Sequence, residues 1–370
     1  MIYFDSAGSF PMLEESRSAL IQALDSYHAN PSASHSPGIE ASNAIEEVRE
    51  QIADKIGAMP SEIIFTSGAT ESNNLALKGL LQYCGADKKC HIITSSIEHK
   101  CVLSICNYLK TCGHEVTHLK PNNKGIIDAT AVENALQPNT TIVSIMHVNN
   151  ELGTINPIED IGALCLDNDV RFHTDAAQSF GKVEIDVEDM NIDLMSLSAH
   201  KIGGPKGIGA LYIRDARDIN ITPVIHGAGQ EIGLRGGTVA TPLIVGFGAA
   251  VELFPKRFKE YPFSDLREYL ISRLQQQKVT FSVNGKAGVP HIMSLTLPNI
   301  DVVTFVVAHF DQYALAQGSA CSSREIKPSH VLTNVGLTHE QAERTLRLSF
   351  DFNTTKKAID KFVDSLFHFS

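Results

Sequence analysis

Between about residues 60 and 215, short apolar runs of strand type alternate with amphipathic runs of helical type. The strand-like runs lie at 62–65, 91–94, 141–147, 170–174, 193–197 and 209–213. Helical patterns begin near residues 70, 98, 128 and 157. This alternation predicts a mostly parallel sheet with helices on both faces, which is an α/β architecture.

The pattern changes after about residue 250. Helical patterns at 264–276, 302–310, 338–345 and 355–367 are mixed with strand-like runs at 279–283, 292–297 and 347–350. Thr338 and Gln341 have the spacing of a capping box, which predicts a helix start there. We therefore expect a large domain of residues 12–250 and a smaller α+β domain of residues 1–11 and 251–370. A first helix over 12–26 is expected to pack with the smaller domain or between the two.

Composition excludes several classes of protein. Acidic side chains outnumber basic ones by 42 to 31, and the basic residues are scattered, so no nucleic-acid binding is expected. No run approaches about 18 apolar residues, so no membrane span is expected. The N-terminus lacks a basic segment followed by an apolar stretch, which predicts a mature cytoplasmic protein. The seven cysteines are an odd number without a Cys-x-x-Cys pair, so neither a disulfide framework nor a metal site is expected.

A turn of small residues at 67–70 follows a strand-like run and opens a helical one. Free amide groups and the helix dipole favour an anion at such a place, and the Thr70 hydroxyl can add a donor. An ordinary helix cap at Thr70 explains the same residues equally well. The glycine-rich stretch 203–209 is not a nucleotide-binding P-loop, because Lys206 is followed by Gly207 and not by serine or threonine.

Two further residues lie where the next strands end. Asp175 follows one buried strand and Lys201 follows the next, and ligands bind at this edge of open α/β sheets. A lysine that bonds to an aldehyde and an acid that pairs with a pyridinium nitrogen are what pyridoxal phosphate requires. The alternatives are a helix cap for Asp175 and a solvated surface position for Lys201. The order of phosphate turn, acid and lysine favours the cofactor site.

Six motifs in chain order resemble the cysteine desulfurases, a group of fold-type I pyridoxal-phosphate enzymes. They are 67–74 (SGATESNN), 148–153 (VNNELG), 175–178 (DAAQ), 198–201 (SAHK), 235–238 (RGGT) and 318–321 (GSAC). The resemblance covers nearly the whole chain. It implies a large domain with a mostly parallel seven-stranded sheet, a smaller C-terminal α+β domain, and a homodimer.

The resemblance also implies a role for each matching residue. Lys201 bonds to the cofactor, Asp175 pairs with its ring nitrogen, and His99 stacks on the ring and moves protons. The implied cofactor-binding residues are Ala69, Thr70, Asn150, Asp175, Gln178, Ser198, His200, Lys201 and Thr238, the last from the partner subunit. Arg347, together with Asn150, is implied to hold the substrate carboxylate, a task that suits a planar guanidinium.

Cys321 lies in a loop of small residues, GSACSS over 318–323. From composition alone, this cysteine is as readily a spectator thiol as a nucleophile. The resemblance implies that its thiolate takes sulfur from L-cysteine as a persulfide, leaves L-alanine, and passes the sulfur to a protein acceptor. Iron–sulfur cluster assembly, tRNA thiolation and DNA sulfur modification would all use the same persulfide. Thiolates, and not thiols, are the nucleophiles in such chemistry.

Two other functions stay open. One is a different fold-type I reaction, such as an aminotransferase, a selenocysteine lyase or a β-lyase. The other is a non-catalytic sulfur-relay scaffold. Three positions also depart from the family pattern: Phe10 replaces a small hydroxyl residue near the expected active-site entrance, Ile232 replaces an arginine, and Asp351 replaces a glycine.

Overall fold

The computed structural model describes residues 1–83, 89–286, 288–317 and 328–369 of the chain. The strands are β1 (Ile2–Tyr3), β2 (Ile63–Thr66), β3 (His91–Ser95), β4 (Glu115–Leu119), β5 (Thr140–Ser144), β6 (Arg171–Asp175), β7 (Leu194–Ser198), β8 (Gly209–Ile213), β9 (Ser282–Asn284), β10 (Ile292–Thr296), β11 (Tyr313–Ala314), β12 (Ala316–Gln317) and β13 (Thr345–Ser349). The helices are α1 (Glu14–Ser26), α2 (Ser36–Asp54), α3 (Ala69–Asn74), α4 (Leu80–Tyr83), α5 (Lys100–Thr111), α6 (Ala129–Glu133), α7 (Ile158–Asp167), α8 (Thr241–Glu260), α9 (Phe263–Gln276), α10 (Val302–Ala308), α11 (His330–Asn334), α12 (His339–Glu343) and α13 (Lys356–Phe369).

A seven-stranded sheet, in the order β2-β8-β7-β6-β5-β3-β4, forms the centre of the fold. The pairs from β7 to β4 are parallel, and β8 runs antiparallel to both β7 and β2. Every residue of β3, β7 and β8 is buried, as expected for strands that helices cover on both faces. The predicted α/β fold class is confirmed. The six predicted strands overlap β2, β3, β5, β6, β7 and β8, while β4 is an additional edge strand.

A second, antiparallel sheet has the order β12-β13-β10-β9. Helices α9 and α13 pack against each other, and Arg273 Nε donates to the Asp360 carboxylate at 2.7 Å across this contact. The predicted capping box is present, since the Thr338 hydroxyl accepts from the Gln341 amide and α12 begins at the next residue. The strand and helix mixture predicted for this part of the chain is thus observed. The domain boundaries themselves stay a prediction.

The first residues of the chain pair with strands formed by residues near its C-terminal end. β1 pairs in parallel with β11, and Asp5 forms a bridge with Ser349 at the end of β13. The Ser6 hydroxyl donates to the Phe350 carbonyl at 2.6 Å, and the Ala7 amide donates to the Ser349 hydroxyl at 2.9 Å. Residues 5–8 are therefore fixed beside β13.

Helices α1 and α2 both pack against α8. The helix predicted over 12–26 is α1, and it lies along α8, where the Ser16 hydroxyl donates to the Gly246 carbonyl at 2.7 Å. Helices α2 and α8 were not predicted. Within the described ranges, no helix has the combined length and apolar character needed to cross a bilayer.

The Phe10 side chain lies in the core of the protein, and its nearness to an active-site entrance stays a prediction. The residue is only 3% exposed. Its ring centroid lies 4.9 Å from that of Phe254 and 4.8 Å from that of Phe352, in edge-to-face arrangements. Such contacts stabilise aromatic rings in a core, and here they turn the Phe10 ring inward.

The other two departures have local structural roles. Asp351 is buried just after β13, where its Oδ1 accepts from the Asn353 amide at 2.9 Å and the Thr354 hydroxyl at 3.1 Å. This carboxylate stabilises the turn by an Asx-type contact. Ile232 is about half exposed and has a φ of 50°, a left-handed conformation that is costly for a β-branched residue.

Candidate functional site

A cavity of about 560 Å³ opens at the carboxyl edge of the large sheet. It collects ten of the predicted site residues, namely Ala69, Thr70, His99, Asn150, Asp175, Gln178, Ser198, His200, Lys201 and Arg347. A second cavity of about 590 Å³ has a different lining, which includes Lys182, Phe258 and Tyr261. The chemistry-bearing side chains gather in the first cavity because strands β2, β6 and β7 all end there.

One end of the cavity is the turn between β2 and α3. Gly68 precedes α3 with a φ of 141°, a conformation that favours glycine. Gly209 faces it so closely that a Cβ at position 209 would lie 2.6 Å from the Gly68 Cα atom. Glu71 fixes the turn, because its carboxylate accepts from the Ser67 amide and from Arg235 Nε. This rigid turn presents the amide groups at the start of α3 to the cavity.

Asp175 lies at the end of β6 and is 5% exposed. Its Oδ2 accepts from Asn73 Nδ2 at 2.8 Å, and its Oδ1 accepts from the Ala177 amide at 3.0 Å. Asn73 was not predicted, although it lies on α3 one turn after Thr70 and so faces the same side of the helix. The two donors hold the carboxylate in one orientation at the cavity wall.

Lys201 follows β7 in a single turn of 3₁₀ helix, Ala199–Lys201. Its Nζ donates to the main-chain carbonyls of Ala7 at 2.6 Å and Gly8 at 2.8 Å. Gln178 Nε2 donates to the same Ala7 carbonyl at 2.7 Å. The N-terminal segment is thus a wall of the cavity, which the sequence did not indicate because main-chain carbonyls carry no residue-type signal.

His99 caps the start of α5, with its Nδ1 accepting from the Cys101 amide at 3.2 Å. The ring faces the cavity, and desolvation by the surrounding protein lowers the pKa of His99, partly opposed by the negative charge of Asp175. Cys101 also lines the cavity, and its sulfur lies 3.0 Å from His99 Nδ1. Burial, together with the charge of Asp175, raises the pKa of the Cys101 thiol to about 11.

Glu98 is fully buried behind His99, and burial raises its pKa to about 8. Its Oε1 accepts from the Ser95 hydroxyl at 2.7 Å and the Met146 amide at 3.0 Å. Because the folded protein holds a proton here that the unfolded chain releases near pH 4.5, the free energy of unfolding should fall as the pH rises from about 4.5 to 8.

Replacing Glu98 with glutamine should remove this part of the pH dependence, since the amide keeps the neutral shape. Urea unfolding of both proteins at pH 5.5 and pH 8 measures the effect. The wild type should lose more stability than the variant between the two pH values. Equal losses would mean that Glu98 is ionised in the folded protein at both pH values.

Arg347 projects from β13 at the opposite side of the cavity. Its Nη1 donates to the Asn150 carbonyl at 3.0 Å, and its Nη2 donates to Asp5 Oδ1 at 2.5 Å. Its Nε is buried and has no hydrogen-bond partner among the described residues. This guanidinium therefore keeps an N–H group for a ligand. Asp5 is a further site residue that was not predicted.

One predicted residue lies elsewhere, and another is not among the described residues. Thr238 is not part of the lining of this cavity in the described portion of one chain. Cys321 falls outside the described residues.

The cavity fits pyridoxal phosphate on its own chemistry. It has amide and hydroxyl donors for a phosphate at Ala69, Thr70 and Ser198, an oriented carboxylate for a ring nitrogen at Asp175, and a primary amine for the aldehyde at Lys201.

Comparisons with known proteins agree with this chemistry. A family model described as aminotransferase class-V matches residues 2–362. The chain is 42% identical to a cysteine desulfurase of Rattus norvegicus, over 99% of this chain and 82% of that protein. A solved structure titled "SspA in complex with cysteine" is 49% identical, with a TM-score of 0.87 over 95% of this chain and 99% of that one. A NifS-like protein is 33% identical, with a TM-score of 0.91 over 99% of this chain and 98% of that one.

Proposed function

Since the chain belongs to the aminotransferase class-V family, we propose that it is a pyridoxal-phosphate-dependent cysteine desulfurase, which takes sulfur from L-cysteine and releases L-alanine. The observation that carries the proposal is the arrangement of three groups in one cavity. They are the Lys201 amine, the Asp175 carboxylate and the buried Arg347 guanidinium.

Pyridoxal phosphate, when bound, withdraws electrons from the α-carbon of an amino acid. Asp175 would keep a proton on the ring nitrogen, because its carboxylate is already oriented by Asn73 and Ala177. Lys201 would bond to the aldehyde and, once displaced by the substrate amine, would accept the α-proton at Nζ. His99, whose pKa is lowered by desolvation, accepts from the Cys101 amide at Nδ1, so the neutral ring carries its proton on Nε2 and would donate it there.

Arg347 would bind the substrate carboxylate, and Asn150 lines the cavity beside it. A guanidinium offers two parallel N–H groups to a carboxylate, which fixes the substrate's orientation as well as its position.

Cys321 would complete the reaction. Its thiolate would bond to the substrate sulfur while the carbon–sulfur bond of the substrate breaks. The electron pair of that bond stays with the carbon, which takes up a proton on the way to alanine. The outcome is a persulfide on Cys321, and the reaction is balanced without a further oxidant.

We further propose that the protein is a homodimer in the cytoplasm and that it passes sulfur to a protein acceptor. The position of Thr238 supports the dimer, because the resemblance assigns this residue to the cofactor phosphate while the cavity of one chain is lined without it. In a dimer, the partner subunit would supply it.

The proposed function is tested with the cofactor-saturated protein, L-cysteine and dithiothreitol. Alanine and sulfide should appear in equal amounts, because each turnover yields one of each. Consumption of a keto acid with formation of its amino acid would indicate an aminotransferase instead. Cofactor binding without any product from L-cysteine or L-selenocysteine would indicate a non-catalytic protein.

A further inference from the structure

Asp5 and Arg347 form an ion pair at the edge of the cavity, with 2.5 Å between Asp5 Oδ1 and Arg347 Nη2. We propose that Asp5 is the resident counter-ion of Arg347 and competes with the carboxylate of incoming ligands, so that it sets the affinity of this site for carboxylates. The identity of the natural ligand rests on the proposed function. The competition itself does not, because it concerns any small monocarboxylate.

The hydrogen bonds of Arg347 show where a ligand would compete. Nη1 donates to the Asn150 carbonyl, so a ligand carboxylate can bind to the edge of the guanidinium formed by Nε and Nη2. Asp5 occupies Nη2 with one oxygen, while Nε is buried without a partner among the described residues. A ligand carboxylate would make two parallel bonds where Asp5 makes one, and such paired bonds are the stronger arrangement. Asp5 is therefore displaceable, but its charge opposes binding.

The main chain holds Asp5 in place for this contact. Its carbonyl accepts from the Tyr3 hydroxyl at 3.0 Å, the Gly8 amide at 3.0 Å and the Ser9 amide at 3.2 Å. Asp5 also forms a bridge with Ser349 of β13, and Arg347 lies two residues before Ser349 on that strand. The Asp5 side chain is 31% exposed and that of Arg347 is 13% exposed. The carboxylate can consequently swing towards solvent, while the guanidinium stays in the wall.

Gly8 provides the space in which the Asp5 carboxylate lies. A Cβ at position 8 would be 2.5 Å from Asp5 Oδ2 and 2.8 Å from Oδ1, distances that are too short to persist. The φ of Gly8 does not lie in the left-handed region, so alanine can adopt this backbone. An alanine at position 8 would therefore push the Asp5 side chain away from Arg347 and leave the charge of Asp5 in the protein.

The test is calorimetric titration of the cofactor-loaded protein with propionate, which has a carboxylate but neither an amine nor a thiol. Asp5→Asn should lower the Kd for propionate about fivefold, which corresponds to the ~1 kcal/mol of a partly exposed ion pair. Gly8→Ala should also lower the Kd for propionate, but by a smaller factor. Asp5→Ala, which also loses the hydrogen bond that orients the guanidinium, should bind propionate less tightly than Asp5→Asn.

Two controls separate the effect of the Asp5 charge from effects of ligand shape and of net protein charge. Propionamide has nearly the same shape as propionate without the charge, and its binding should not improve in any variant. Asp25→Asn, on an exposed face of α1 and outside the lining of the cavity, makes the same change in net charge and should leave the Kd for propionate unchanged.

An unchanged or higher Kd for propionate in both Asp5→Asn and Gly8→Ala would overturn the proposal. The proposed function can fail separately. A protein that yields no alanine from L-cysteine, but whose variants show the expected gain in propionate affinity, refutes the desulfurase and retains the role of Asp5.

Discussion

Replacing Lys201 with alanine should lower the rate of alanine formation from L-cysteine by about 10⁴-fold. The amine at this position is the group placed to bond to the cofactor aldehyde and to take the α-proton, and general bases contribute roughly 10²- to 10⁴-fold to catalysis. Both tasks are lost at once, so the decrease in kcat should lie at the upper end of this range. The measurement is alanine production by the variant protein saturated with pyridoxal phosphate.

Borohydride reduction followed by peptide mapping gives a readout that does not depend on turnover. The wild type should carry the reduced cofactor on Lys201. Lys206→Ala, which removes another lysine of the same cavity, should keep that adduct, whereas Lys201→Arg should lose it despite its positive charge. An adduct on a different lysine of the wild type would contradict the assignment.

The second large effect is expected from Cys321→Ser. This variant should retain the bound cofactor and its visible absorbance, but sulfide release should fall to background because serine cannot accept sulfur as a persulfide. Mass spectrometry of the protein after a single addition of L-cysteine should find an extra sulfur on Cys321 of the wild type and none in the variant.

Cys101→Ser is the matched control, since Cys101 is the cysteine that lines the cavity within the described residues. Burial raises the pKa of this thiol to about 11, so it stays protonated and is a poor nucleophile at neutral pH. Persulfide formation on Cys321 should survive in Cys101→Ser. Sulfur on Cys101 of the wild type, or normal sulfide release by Cys321→Ser, would refute the assigned nucleophile.

Strands β7 and β8 were predictable, because they are short, buried and rich in apolar residues. The edge strand β4 was missed, since its sequence, EVTHL, carries charged and polar residues that remain partly exposed. Helices α2 and α8 were missed for another reason. Gly38 lies in the first turn of α2 and Pro255 lies inside α8, so local propensity argues against helices that tertiary packing nevertheless stabilises.

The site residues likewise fall into a group that was predictable from the sequence and a group that was not. Residues in compact motifs after strands, such as Thr70, Asp175 and Lys201, were predictable because a strand end is a known place for ligands. Asp5 was not, since its contact with Arg347 joins positions 342 residues apart and is set by the pairing of the first residues with β13. No local pattern encodes such a contact.

That pairing has a consequence for how the protein is made. A ribosome adds roughly 5–20 residues per second, so the segment that carries Asp5 waits on the order of tens of seconds before Ser349 is synthesised. The nascent chain can form much of the large sheet during this delay, but one wall of its cofactor cavity is still missing. Vitamin B6 capture should therefore follow release of the finished polypeptide.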